Sequence, residues 1–407
     1  MQMIPCSSSN YLSRNNFLGI VFVVICLFVG KPLLAQKDAF HSWLISQIQQ
    51  EQFKAFPSFP NGSLPSYRRY AWNKQIEKAD VNPFFTALVD FTLKNIEADL
   101  PPDLQLQVKQ IRSNCKKVYP KFANRSGRPT YNFWPTDTPT IFPNGGWLNW
   151  FNSTQALPDD MDDTVMILLA LQSSDSTAKY VHQLMAGYAN GQKKSIKNTY
   201  SNLQHLPAYS TWFGNKMPVD FDICVLSNIL YFVEQYRLPW QAADSASLEW
   251  IVKVIEEDKY LTEPDFISPH YQRTPVILYH LSRLMQFGNF PALKKLQPRL
   301  EQAALKAWEN STHLMDATLL HTALLRWGVQ IPYEKQMPHS NWQAQITDGS
   351  FSFFIANMSS MLPRFFKKTI GSSGAGTFYY TCDAYNYALI LENLVWQQKI
   401  GQKKSTP

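Results

Sequence analysis

Apolar residues recur every three to four positions along most of this chain, which is the period of an amphipathic α-helix. In the segment 38–52, for example, Phe40, Trp43 and Leu44 share one side of the predicted helix. The same spacing predicts helices over 83–98, 102–118, 159–173, 175–189, 219–237, 244–258, 271–287, 292–309, 312–327 and 383–399. Proline, glycine or asparagine stands in many of the connections, and strand-like alternation is scarce.

These helices follow one another in consecutive pairs, each with one apolar face to bury. Pairs of this kind can close into a ring of helical hairpins, which needs roughly ten to twelve helices. We therefore predict an all-α fold, a single α/α toroid. No low-complexity linker divides the chain, so the toroid domain is expected to span 36–400, followed by a disordered tail at 401–407.

The first 35 residues have the pattern of an export signal. Arg14 precedes an apolar run from Phe17 to Gly30, and Ala35 offers a small residue for cleavage. About a dozen apolar residues are few for a membrane span. We predict a signal peptide at 1–35 and a periplasmic protein. An uncleaved N-terminal membrane anchor is the alternative.

Composition narrows the class of protein. Hydrophobic residues make up 45% of the chain and charged residues 17%, which is typical of a packed globular protein. The net charge of +7 is modest, and no zinc finger, phosphate-binding loop or RNA-binding motif is present, so we expect no nucleic-acid partner. After the signal peptide only Cys115, Cys224 and Cys382 remain, which is no disulfide framework.

The acidic run at Asp159, Asp160, Asp162 and Asp163 is the strongest candidate for chemistry. One interpretation is a helix start, because aspartates there accept free backbone N–H groups. The other is a catalytic acid, because crowding and burial of carboxyls raise their pKa. The helix dipole opposes this rise by up to about 2 kcal/mol, so the acid requires a dry site. Both interpretations can hold together.

The residues Asp160-Met161-Asp162-Asp163-Thr164, followed by an apolar helix, resemble the D-x-D-D-T signature of class II terpenoid cyclases of the squalene–hopene cyclase kind. The resemblance implies that Asp162 donates a proton to an alkene or epoxide, held by Asp160 and Asp163, without a cofactor. The same run also matches D-D-x-x-D, through Asp159, Asp160 and Asp163, which is the magnesium–diphosphate motif of class I prenyl enzymes. In that case Mg²⁺ would be the cofactor.

Other polar and aromatic residues stand just before or within the starts of predicted inner helices. Because inner helices of a toroid run parallel, these ends should converge on the mouth that holds the acidic run. The predicted substrate-binding residues are Trp150, Trp212, Phe213, Asp222, Tyr271, Tyr379, Tyr380, Asp383 and Tyr385. Their rings could line a cavity for sugars, isoprenoids or carbocations. His270 is a candidate partner of the acids.

Three functional classes remain open. The first is a terpenoid cyclase-like enzyme that starts cyclisation of an isoprenoid by protonation. The second is an exported glycosidase or lyase, in which Asp162 or Asp163 would face Asp222 or Asp383 across a sugar. The third is a toroid that binds a ligand without chemistry. The expected partner is a small apolar or glycan ligand, with association at a membrane surface as a further prediction.

Overall fold

The computed structural model of the protein describes residues 39–54, 57–137, 157–214, 217–331 and 342–403. Contacts between Cα atoms divide the chain into a unit Met1–Leu44, of which 39–44 are described, and a unit Ile45–Pro407. The contacts below belong to the second unit. The predicted signal peptide at 1–35 and residues 404–407 of the predicted tail lie outside the described residues.

The described chain is mostly helical. Its helices are α1 (39–54), α2 (Phe84–Ile96), α3 (Pro102–Lys116), α4 (Met161–Leu171), α5 (Asp175–Ala186), α6 (Ile223–Gln235), α7 (Ala242–Glu256), α8 (Lys259–Thr262), α9 (Pro264–Ile267), α10 (Thr274–Phe287), α11 (Pro291–Glu309), α12 (Leu314–Trp327), α13 (Trp342–Thr347), α14 (Arg364–Ile370) and α15 (Asp383–Lys403). Each predicted helix coincides with one of the long helices. Their ends differ by a few residues, and α15 extends into the predicted tail.

Six helices pack in a closed cycle. α2 packs against α4, α4 against α6, α6 against α10, α10 against α12, α12 against α15, and α15 returns to α2. A second set lies outside this cycle, where α3 packs on α2, α7 on α6, and α11 on both α10 and α12. Burial separates the two sets: Met161–Ala170 of α4 is buried on every side, whereas α11 buries only Leu293, Leu300, Ala304 and Trp308.

A buried ion pair joins the neighbouring helices α12 and α15 of the cycle. The Arg326 guanidinium donates to Glu392 Oε1, and the Tyr279 hydroxyl of α10 donates to Glu392 Oε2 over 2.6 Å. Arg326 also lies 4.4 Å from the centre of the Tyr279 ring. Three helices of the cycle therefore meet at one carboxylate.

The described residues also form six short strands, so the fold is mostly helical with a small sheet and not all-α. β1 (Tyr67–Tyr70), β2 (Asn73–Ala79), β5 (Ile355–Asn357) and β6 (Thr377–Thr381) form an antiparallel sheet in the order β2-β1-β6-β5, and β3 (Asp159–Asp160) pairs with β4 (Trp212–Phe213). β2 is exposed throughout, so it carries no inside–outside alternation. The other strands are too short to show a period.

Among the described residues, no helix combines the length and the apolar character needed to cross a membrane.

Candidate functional site

A cavity lies at the N-terminal ends of α2, α4 and α6. It encloses about 730 Å³ of empty space, its open mouth included. Its apolar lining is Phe84, Phe133, Trp134, Leu157, Trp212, Met217, Val225, Phe354, Ala356, Met358 and Met361. Its polar lining is Asp160, Asp162, Asp163, Thr211, His270, Asn357, Ser360 and Tyr380. Asp160, Asp162 and Asp163 of the acidic run border this largely apolar cavity.

Asp160 begins the α4 helix, so the helix-start interpretation is confirmed. Its backbone is extended, and its Oδ1 accepts the N–H groups of Asp162 at 2.7 Å and Asp163 at 3.1 Å. Thr164 ties the same turn together, because its hydroxyl donates to the Asp160 carbonyl and accepts the N–H of Tyr131. The D-x-D-D-T residues thus fix the helix end at the cavity wall.

Asp162 is held from two sides. Asn228 Nδ2 of α6 donates to its Oδ1 over 2.6 Å, and the Tyr271 hydroxyl donates to its Oδ2 over 2.5 Å. The Arg283 guanidinium of α10 donates to the side-chain oxygen Oδ1 of Asn228. Burial raises the pKa of Asp162, while these hydrogen bonds and the charge of Arg283 oppose the rise.

Asp163 has the opposite surroundings, although it is the next residue. Its side chain is 1% exposed, and neither carboxyl oxygen has a hydrogen-bond partner among the described residues. Burial, then the charges of Asp160 and Asp162, raise the pKa of Asp163 well above its ordinary range. The cause is physical: an ionised carboxylate without donors is strongly unfavourable in an apolar site.

Asp160 and His270 form the charged side of the cavity. Burial and the neighbouring Asp162 raise the pKa of Asp160 to about 7. Burial disfavours the charged form of His270, but the nearby carboxylate of Asp220, with the charges of Asp222 and Asp160, outweighs it and raises the pKa of His270. His270 Nε2 lies 3.4 Å from Asp220 Oδ2. The imidazolium therefore offsets part of the acidic charge.

Asp159 turns away from this cavity. Its Oδ2 accepts hydrogen bonds from Asn124 and Thr130, both at 2.5 Å, and from Arg128 at 3.1 Å. Alternate residues of a strand face opposite sides, so Asp159 and Asp160 diverge within β3. The described residues contain no group of three or more His, Cys, Asp or Glu side chains arranged to hold a metal ion.

The predicted aromatic residues that the structure describes divide into three groups, and one further residue is not described. Trp212 and Tyr380 line the cavity, and Trp212 pairs with Asp160 across the β3–β4 ladder. Phe213, Tyr271 and Tyr385 are buried but outside the lining. Tyr379 lies under Lys74, whose Nζ is 4.8 Å from its ring centre, and does not line the cavity. Trp150 lies outside the described residues.

The two other predicted carboxyls, Asp222 and Asp383, lie at the starts of α6 and α15. Asp222 caps α6: its Oδ1 accepts the N–H of Cys224 at 2.8 Å, and its Oδ2 accepts the N–H of His270 at 2.9 Å. Asp383 begins α15, where burial and the charges of Glu51 and Glu77 raise its pKa to about 6. Neither lines the cavity among the described residues, so their positions do not support substrate contact.

Sequence reasoning missed much of the aromatic wall. Phe84, Phe133, Trp134 and Phe354 line the cavity, and Phe354 lies 4.9 Å from Phe84 between ring centres. The run Phe351 to Phe354 was the available signal, but it has no helical period. Arg283, which orients Asn228, was also missed because a single arginine in an apolar helix carries no distinctive pattern.

The raised carboxyl pKa values predict how stability depends on pH. Between the ordinary carboxyl value near 4 and the value of about 7 for Asp160, the folded protein binds more protons than the unfolded chain. The free energy of unfolding should therefore fall as the pH rises through this window. His270 adds to the fall, because its contribution is lost as the pH rises through its raised pKa.

Urea unfolding at pH 5 and pH 7.5 measures this slope. In Asp160→Asn the slope should be shallower, while asparagine preserves the helix cap. Equal or greater stability at the higher pH would contradict the assignment.

No protein-family model matches the chain, and no curated protein matches its sequence significantly.

Proposed function

We propose that the protein is a single α/α toroid that cyclises an isoprenoid by protonation, as the resemblance to class II terpenoid cyclases implies. The closed cycle of α2, α4, α6, α10, α12 and α15 supports the toroid, with α3, α7 and α11 packed outside it. Parallel inner helices would bring their N-terminal ends to one mouth, which agrees with the position of the cavity.

One observation carries the proposed chemistry: a buried carboxyl, for which the described residues provide no hydrogen-bond partner, borders an apolar cavity. A neutral carboxylic acid in such a place can donate its proton to an alkene or epoxide. The alkene electron pair forms the new C–H bond and leaves a carbocation, which the remaining double bonds attack to close rings. The final cation loses a C–H proton to water, which forms the last double bond, and a proton from water returns to the carboxylate and restores the acid.

The cavity walls suit such a cation. Faces of aromatic rings attract positive charge, and Phe84, Phe133, Trp134, Trp212 and Phe354 surround the site. The same rings offer no strong nucleophile. The isoprenoid could therefore cyclise before water captures its carbocation. A terpenoid cyclase would therefore give a role to both the acidic side chains and the aromatic lining of the cavity.

A glycosidase finds less support. Hydrolysis of a sugar linkage needs two carboxyls about 5–9.5 Å apart on opposite sides of the bond. The carboxyls of the cavity come from the single run Asp160–Asp163, whereas Asp222 and Asp383 lie elsewhere. We also propose no Mg²⁺, because Asp159 is paired with Arg128.

Product analysis tests the function. The chain from Gln36 onward is incubated with linear isoprenoid alkenes, their terminal epoxides and their diphosphates of graded length, and products are identified by gas chromatography and mass spectrometry. We expect cyclic products from the alkenes or epoxides. Ala356→Trp should block them by filling the cavity, while the exposed Leu106→Trp should not.

Two outcomes would overturn the proposal. One is the absence of cyclic products with every substrate, and the other is equal turnover by Ala356→Trp. Release of pyrophosphate from the diphosphates alone would instead indicate class I chemistry.

The predicted membrane association also has a candidate surface, which we call the α14 patch: Phe365, Phe366, Ile370 and Trp72. Phe365 is 70% exposed and Trp72 is 66% exposed, and Trp72 Nε1 donates to the Ser373 carbonyl just after α14.

Arg364 and Lys368 lie on the same helix as the α14 patch. Exposed aromatics beside cations favour contact with an anionic bilayer. The cavity-lining residues Met358 and Met361 precede this helix closely, so a lipid substrate could enter nearby.

Vesicle co-sedimentation checks this surface. The protein should bind vesicles of phosphatidylcholine with phosphatidylglycerol more strongly than vesicles of phosphatidylcholine alone. The double variant Phe365→Ser/Phe366→Ser should weaken binding at least about tenfold, because two apolar rings no longer insert. Leu106→Ser is the control, since Leu106 is 68% exposed on α3. Unchanged binding by the double variant would rule the surface out.

A further inference from the structure

The hydrogen bonds around Asp162 fix which atoms donate. Arginine carries only donors, so the Asn228 oxygen that meets Arg283 must accept, and Asn228 must turn its NH₂ group to Asp162. Asp162 Oδ1 is then an acceptor. This orientation follows from the chemistry of the groups, because Arg283 leaves no alternative.

The second oxygen of Asp162 is constrained in the same way. The Tyr271 hydroxyl, fully buried, makes its hydrogen bond to Asp162 Oδ2 and no other among the described residues. If Asp162 held a proton there, the tyrosine proton would lose its acceptor in a buried site. Both oxygens therefore accept, which is the arrangement of an ionised carboxylate.

Asp163 has none of these donors. Its two oxygens are buried and unpartnered among the described residues, and its residue borders the cavity beside Asp160. The neutral form avoids most of the cost of burying an unpaired charge. The negative charge of Asp162 on the adjacent residue favours the same form.

We infer that Asp163, not Asp162, holds the transferable proton of this cavity, and that Asp162 is a positioning residue kept ionised by Asn228, Tyr271 and Arg283. This assignment differs from the one the resemblance implies. It rests on the proposed function for its substrate, an isoprenoid alkene or epoxide. In the reaction the O–H bond of Asp163 breaks and a new bond to hydrogen forms on the substrate, C–H on an alkene or O–H on an epoxide oxygen whose C–O bond then opens. Asp163 remains as a carboxylate until a proton from water restores the acid.

Infrared difference spectroscopy tests the assignment without a substrate. At pH 8.5, where Asp160 with its pKa of about 7 is mostly ionised, the carbonyl band of a protonated carboxyl is separate from carboxylate bands. The wild-type minus Asp163→Asn spectrum should contain this protonated band. The wild-type minus Asp162→Asn spectrum should contain carboxylate bands instead, and the exposed Asp175→Asn should lack the protonated band. A protonated band lost with Asp162, or one kept in full by Asp163→Asn, would overturn the inference.

Stability provides a second, independent measurement. Asp163→Leu should have an unfolding midpoint in urea at least equal to the wild type, because it replaces an unpartnered neutral group with an apolar one. Asp162→Leu should have a clearly lower midpoint, because Asn228 and Tyr271 lose their acceptor. The reverse order would overturn the inference. If no cyclic product forms but both measurements agree, the proposed function fails while the protonation assignment stands.

Discussion

Asp163→Asn is expected to form cyclic product at least about 10³-fold more slowly than the wild type, because general acid catalysis contributes about 10²–10⁴-fold and an amide cannot replace the donor. Asp162→Asn should lose less activity, since the donor remains and only the neighbouring charge is removed. Initial rates of product formation under saturating substrate measure the difference.

The exposed Asp175→Asn serves as the control and should retain the wild-type rate. Circular dichroism establishes that each variant folds. A wild-type rate in Asp163→Asn, or a larger loss in Asp162→Asn than in Asp163→Asn, would contradict the assignment of the donor.

Glu392→Ala is expected to lower the free energy of unfolding by about 3–5 kcal/mol, because it leaves the buried Arg326 without its counter-charge. The hydroxyl of Tyr279 also loses its acceptor. The effect is large because this one carboxylate joins α10, α12 and α15 in the helix cycle. Urea unfolding at a fixed pH measures it.

The matched control is Glu256→Ala, which removes an exposed, solvent-screened ion pair with Lys253 and should leave the free energy of unfolding nearly unchanged. The double variant Arg326→Met/Glu392→Leu should recover much of the loss, because it leaves no unpaired charge. A small effect of Glu392→Ala would show that this carboxylate does not hold the three helices together.

The long helices were predictable because each carries enough apolar residues for the helical period to be clear. The starts of the helices were harder to predict. The α4 and α6 helices begin two and four residues after their predicted starts, because Asp160 and Asp222 have extended backbones and act as caps. The sheet was not predictable, since β2 is fully exposed and pairs with β1 through backbone hydrogen bonds.

The acidic run and its place at a helix start could also be read from the sequence. The different surroundings of Asp162 and Asp163 could not. Successive residues of a helix point about 100° apart, so the two carboxyls meet different neighbours. The partners of Asp162 lie 66 and 109 residues away along the chain, and only the fold brings them together.

The central claim is that a carboxyl of this cavity protonates an isoprenoid, and the isotope content of the product tests it most directly. With a linear isoprenoid alkene as the substrate and the reaction run in D₂O, mass spectrometry should find one solvent deuterium bound to carbon in each cyclic product, at the position of the initial protonation. Cyclic product without deuterium would contradict the claim.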